Sequence, residues 1–132
     1  MPPTTLHTIG ILGVRDFQGN VYNNYEHISS ILSDYIRKEG RSRDNVQFRT
    51  GGGRGVESLV VRYAKENGIP CKTIPPNIQE LGASEAFKAR NNNVVAGSKE
   101  LLVFWDGCIE ITVQAIMTSM HLTKKVTVFP LV

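Results

Sequence analysis

The chain has 132 residues, 41% hydrophobic and 20% charged, with a formal net charge of +3. That length fits one domain able to bury roughly two-thirds of its unfolded surface. No apolar run approaches the ~20 residues a membrane helix needs, so no membrane partner is expected.

The start, Met1-Pro2-Pro3-Thr4-Thr5, lacks a basic region followed by an apolar stretch, so no secretory signal is read. Cys71 and Cys108 are too few for a disulfide framework and lack zinc spacing, which makes a reducing, cytoplasmic setting the expectation. His7, His27 and His121 are scattered, and no metal site is expected.

The apolar run Thr8 to Val14 reads as a buried strand. Tyr22, Tyr25, Ile28, Leu32, Tyr35 and Ile36 then recur at helical spacing, and Gly40 stops that helix. Arg37, Lys38, Arg41, Arg43 and Arg49 form a loose basic cluster, diluted by Glu39 and Asp44. Cations in a last helical turn favour its dipole, and a solvated loop would look the same. A nucleic-acid footprint is usually more strongly basic, so nucleic acid is not the expected partner.

Val46 to Thr50 reads as the second strand and Val56 to Asn67 as the second helix, ended by Gly68. Between them Gly51, Gly52, Gly53, Arg54 and Gly55 form a glycine loop that opens into the helix. Glycines let a ligand approach the backbone, and the helix start points unpaired N–H groups and a positive dipole end at the loop. The combination is an anion cradle, most often for phosphate. A plain tight turn is the alternative, though one or two glycines would suffice for it.

Cys71 to Ile74 reads as a third strand, closed by Pro75-Pro76. Ser84 to Ala96 reads as a helix with Ser84 as N-cap and Ala86, Phe87, Val94 and Val95 as apolar positions. Glu100 to Trp105 reads as the fourth buried strand, Ile111 to Leu122 as a helix and Val126 to Phe129 as the last strand. Strands alternating with helices predict a single α/β, Rossmann-like, three-layer domain with a mainly parallel five-stranded sheet. Ligands of such sheets sit beyond the carboxyl ends of the strands. The loops Gly13-Val14-Arg15-Asp16, Gly51 to Gly55 and Asp106-Gly107-Cys108 are expected to converge there, without a GxGxxG fingerprint.

Four segments together resemble a known superfamily: Gly13-Val14-Arg15-Asp16-Phe17, Thr50-Gly51-Gly52-Gly53-Arg54-Gly55-Val56-Glu57, Arg90-Asn91 and Phe104-Trp105-Asp106-Gly107. In this order and spacing the chain resembles the SLOG group of Rossmann-like domains, named after the DNA-processing Smf proteins and the LOG phosphoribohydrolases. Within it the likeness is greatest to small stand-alone domains related to YspA, and it covers nearly the whole chain. The resemblance implies a phosphate or ribose-phosphate ligand in the glycine loop, with Arg15 and Arg90 as anion partners through their planar forks. The alternatives are a surface loop charge for Arg15 and an exposed helical arginine for Arg90. The ligand set it implies comprises Gly13, Arg15, Asp16, Gly51, Gly52, Gly53, Arg54, Gly55, Glu57, Arg90, Asn91, Asp106, Gly107 and Thr112, with no bound cofactor.

The chain also departs from the pattern. SLOG hydrolases carry a second glycine motif after the fourth strand, with a glutamate three residues beyond a threonine. Here Asp106-Gly107 begins that motif and Thr112 takes the threonine's place, but Ile109 and Ile111 replace a small polar residue and a glycine, and Ala115 replaces the glutamate. Without that carboxylate the group that would stabilise ribosyl charge or activate water is missing. Glu57, Glu110 and Arg90 remain as substitutes; for Glu57, a helix-start acid or a ribose-hydroxyl acceptor is the plainer reading. Trp105 reads either as a base-stacking or a packed aromatic, and Ser58 and Cys108 lack an identifiable base.

Binding of a nucleotide or nucleotide derivative, for sensing, sequestration or channelling, is therefore the leading expectation. The rivals are an N-glycosidase acting on nucleoside monophosphates and a single-stranded nucleic-acid binder. The helix Ile111 to Leu122 is apolar around most of its circumference, which points to a homo-oligomer.

Overall fold

The computed structural model describes residues 6–13, 25–53, 55–105 and 124–130, apart from the side chain of Ser84. Five strands, β1 (His7–Gly13), β2 (Val46–Thr50), β3 (Cys71–Thr73), β4 (Glu100–Trp105) and β5 (Lys125–Pro130), form one sheet in the order β3-β2-β1-β4-β5. Every neighbouring pair is parallel. Four helices are described: α1 (Tyr25–Lys38), α2 (Val56–Glu66), α3 (Ile78–Leu81) and α4 (Ala83–Ala96).

Because strand side chains alternate faces, the central strands feed two separate cores. Ile9 and Ile11 of β1, Phe48 of β2, and Leu102 and Phe104 of β4 pack with Ile28 and Leu32 of α1 and Val56 and Val60 of α2. Leu12, Leu101 and Val103 pack on the opposite face with Val94 and Val95 of α4. Burial on both faces explains why these strands read as apolar runs. The result is the expected three-layer, Rossmann-like α/β fold, with its sheet parallel throughout.

The strand order fixes where a site belongs. The chain steps from β1 outward through β2 to β3, then crosses to β4 on β1's other side. In such sheets ligands bind outside the carboxyl ends at this reversal, here between β1 and β4. Gly13 and Phe104 are register partners, so the two strands end together at that point.

Several boundaries differ from the sequence reading. Ser84 is not the N-cap of α4; the helix begins at Ala83 with Gly82, φ 78°, as its cap and no side-chain bond. Ahead of it the four-residue α3 follows Pro75-Pro76, with the Asn77 side chain accepting from the Glu80 N–H. No element is read from the sequence between Pro76 and Ser84, because four residues cannot establish a helical period. The first helix is described from Tyr25, and Gly40 (φ 69°) and Gly68 (φ 67°) end α1 and α2 as expected. The expected helix Ile111 to Leu122 lies outside the described residues.

Candidate functional site

The glycine loop leaves the carboxyl end of β2 and turns directly into α2. Gly52 and Gly55 adopt φ of 69° and 84°, a region that strains other residues, so the sharp reversal needs glycine there. The first-turn amides of α2 receive no side-chain cap from Gly55, which leaves them pointing at the loop. Gly52 is exposed and Gly53 half-buried, so part of the loop backbone faces solvent.

Gly51 of the loop and Gly13 at the end of β1 have internal reasons. A Cβ on Gly51 would fall 1.5 Å from Arg90 Nη1, so the guanidinium fills the space a side chain would take. A Cβ on Gly13 would stand 2.6 Å from the Cβ of Val56, so β1 ends tight against the first residue of α2.

Arg90 lies against the loop with its charge already met. Its Nη1 donates to Glu57 Oε1 at 2.8 Å, and the two side chains are only 7% and 4% exposed. The same Oε1 accepts the Gly53 N–H at 3.0 Å, while Oε2 accepts the Gly13 N–H at 3.3 Å. One carboxylate therefore ties the ends of β1 and β2, the start of α2 and the middle of α4. An internal anion holds donors that the sequence reading gave to a ligand phosphate.

These contacts bring Gly13, Gly51, Gly53, Glu57 and Arg90 together, with Gly55 at the start of α2, Asn91 beside Arg90 in α4 and Gly52 at the outer edge, against Thr73. The reading of Arg90 as an exposed helical arginine is overturned by its burial. Arg15, Asp16, Arg54, Asp106, Gly107, Glu110 and Thr112 lie outside the described residues, as do Cys108 and Ala115. Four buried polar atoms near this end of the sheet have no hydrogen-bond partner among the described residues: Thr50 Oγ1, Arg90 Nε, Asn91 Oδ1 and Trp105 Nε1. Buried polar groups are nearly always bonded, so such atoms mark where a partner is needed. Trp105 itself packs on the core that Leu12, Val94 and Val95 share, which favours the packed reading over free stacking.

Sequence reasoning missed the Glu57–Arg90 pair, although a signal existed. Glu57 shares the apolar face of α2 with Val60 and Ala64, and Arg90 shares that of α4 with Ala86 and Val94. A lone charge of each sign on a buried face calls for a partner. Sequence reasoning also grouped Arg49 with the basic cluster. Arg49 instead crosses to α4, donating from Nε to the Asn93 carbonyl at 3.1 Å and from Nη2 to Asn93 Oδ1.

The third buried charge, Glu100, sits at the opposite end of the sheet. It accepts from Tyr35 and pairs with His7, both at short range, and so joins α1 to the starts of β1 and β4. Burial, and next the hydrogen bond to Glu100, hold the Tyr35 hydroxyl above its ordinary pKa of 10.0. Burial likewise raises the Cys71 thiol, which leaves it a poor nucleophile. Among the described residues no group of three or more His, Cys, Asp or Glu side chains could hold a metal ion, and no helix is long and apolar enough to cross a membrane.

Comparison with known proteins agrees with this architecture. No family model matches the chain, and no curated protein does. Solved structures do, among them the following two. The X-ray structure of TM1055, a structural-genomics target, superposes with a TM-score of 0.67 at 18% identity, over 92% of this chain and 72% of that one. DNA processing protein A from Helicobacter pylori, described for its single-stranded DNA binding mode, gives 0.63 at 21% identity, over 97% and 67%. At such identities the likeness shows the fold alone. The second similarity gives no support to setting nucleic acid aside on charge.

Proposed function

We propose that this chain is a SLOG-type domain of the YspA-like kind that binds a nucleotide or nucleotide derivative through its phosphate. The observation that carries the reading is the glycine loop itself. It lies at the carboxyl end of β2, beside the β1–β4 reversal, with backbone exposed at Gly52 and the uncapped start of α2 behind it. The phosphate rests on the Gly52 backbone and the first-turn amides and passes close over Gly53, whose own N–H Glu57 holds. The sequence resemblance assigns the remaining ligand contacts to Arg15, Asp16, Arg54, Asp106, Gly107 and Thr112.

In this reading Arg90 and Glu57 act chiefly by fixing the loop, since Arg90 Nη1 is spent on the Glu57 carboxylate. Arg90 Nε, which has no partner among the described residues, is the donor left for a ligand. Catalysis at Glu57 is disfavoured for the same reason: a carboxylate engaged with two N–H groups and a guanidinium is poorly placed to take a proton from water. Incubation with nucleoside monophosphates followed by chromatography tests this point. Intact nucleotide is the expected result. Release of free base that disappears in Glu110→Gln would establish the N-glycosidase instead.

A second reading, binding of single-stranded nucleic acid, is favoured by the similarity to the Helicobacter pylori protein. A fluorescent oligothymidylate separates the two, because strand binding should weaken steeply with added salt.

A further inference from the structure

The loop between α1 and β2 and the end of α2 border a second, open concavity, at the end of the sheet opposite the glycine rim, with a volume of ≈ 500 Å³. Arg37, Arg41 and Arg43 line it together with Ser33, Tyr63 and Asn67, and among the described residues no carboxylate does. The helix dipole accounts for Arg37, which stands in the last turn of α1 and pairs with Asp34 at 2.7 Å. It does not account for Arg41 and Arg43, which follow the helix stop at Gly40. Arg41 has no ion pair among the described residues. Arg43 gives one N–H to Asn67 Oδ1 at 3.2 Å, which fixes the guanidinium and leaves most of its donors unspent.

The loop carrying these arginines is tied down at every step. The Gly40 N–H reaches the Arg37 carbonyl at 3.1 Å and the Arg41 N–H reaches Ile36 at 2.9 Å. Ser42 and Asn45 are bonded both ways, and the Asn45 carbonyl accepts the His7 N–H of β1 at 2.9 Å. At the floor, the Tyr63 hydroxyl meets Ser33 Oγ at 2.8 Å, its ring buried and stacked on Phe48. Arg41 and Arg43 face the concavity without an ion pair among the described residues, so their charges repel one another, and an anion between them removes that cost. Arginine forks match phosphate oxygens in pairs, and the volume falls within the ~300–1,000 Å³ of small-ligand sites.

We propose that this concavity binds the phosphate group of a small phosphorylated molecule, gripped by Arg41 and Arg43 and oriented by the Ser33–Tyr63 hydroxyl pair. The site is separate from the glycine rim and stands whether or not the rim holds a nucleotide. Phosphodiester strands share the chemistry, so the test carries an arm for each source. Pyrophosphate is titrated into the labelled full chain and followed by amide NMR. Saturable shifts are expected at 41–45 and at Asn67, unaltered in Gly53→Val. Arg41→Gln with Arg43→Gln should weaken binding about tenfold or more. Both side chains are exposed, so the melting temperature should hold; Arg41→Gln alone serves if the double variant melts early. Shifts confined to the glycine loop, a response that never saturates, or undiminished affinity in the folded variants would overturn the proposal. So would oligothymidylate binding at this site without pyrophosphate binding.

Discussion

Replacing Glu57 by Gln removes the charge that neutralises Arg90 while keeping an acceptor near Gly53. Breaking a buried ion pair by removing one partner costs about 3–5 kcal/mol, because the remaining charge is stranded. Exposures of 7% and 4% and a separation of 2.8 Å place Glu57–Arg90 in that regime. The Gly13 and Gly53 amides add to the cost if their acceptor shifts, at about 1–3 kcal/mol for each group left unsatisfied. Against a domain stability of about 5–15 kcal/mol, that is a large share. Glu57→Leu combined with Arg90→Met should recover most of the loss, since apolar replacement of a whole buried pair is often neutral or stabilising. Urea denaturation of the wild type, Glu57→Leu, Arg90→Met and the double variant closes the cycle, with Glu57→Gln measured beside them. A loss under about 1 kcal/mol for Glu57→Gln, the size expected of an exposed pair, would refute the reasoning.

Further outcomes are expected elsewhere in the molecule. Gly51→Ala should lower the urea midpoint sharply, because its Cβ would meet Arg90 Nη1 at 1.5 Å, whereas Gly53→Ala, whose Cβ would stand 3.3 Å from Glu57 Oε1, should lower it much less. Equal midpoints would show that Arg90 does not occupy that space. Tyr35 has a raised native pKa, so the native state holds its proton more tightly and the contribution is complete below the ordinary value of 10.0, then lost as pH climbs through the native value. Lys125, raised chiefly by its bond to Glu39, acts in the same direction. Melting temperatures should therefore fall above about pH 10, less so in Tyr35→Phe, and an identical alkaline decline in that variant would contradict the assignment. For the homo-oligomer, light scattering should give a mass above one chain and Met120→Glu should lower it; a single-chain mass at micromolar concentration would end that reading.

What was legible in the sequence follows from burial. β2 and β4 were bounded correctly at both ends, because strands covered on one or both faces declare themselves by alternation or by an unbroken apolar run. The glycine loop was legible for the same local reason, since its four glycines fall between a strand and a helical period. Two kinds of information were not legible. Capping at Gly82 and Asn77 depends on backbone angles over one turn, too short for any period to show. The Glu57–Arg90 pair joins helices separated by a strand, and only the fold reveals that Gly51 is bare for Arg90's sake. Much of the loop's glycine content is thus architectural, and the ligand's share narrows to Gly52, Gly53 and the start of α2.

That narrowed share is what calorimetric titration of a nucleotide panel tests most directly, with wild-type chain compared against Gly53→Val. At least one phosphate-bearing nucleotide should bind the wild type, and a Gly53→Val variant that still melts cooperatively should bind none. Undiminished affinity in that folded variant, or wild-type affinity for nucleosides equal to that for their phosphates, would contradict a phosphate seat at the glycine loop.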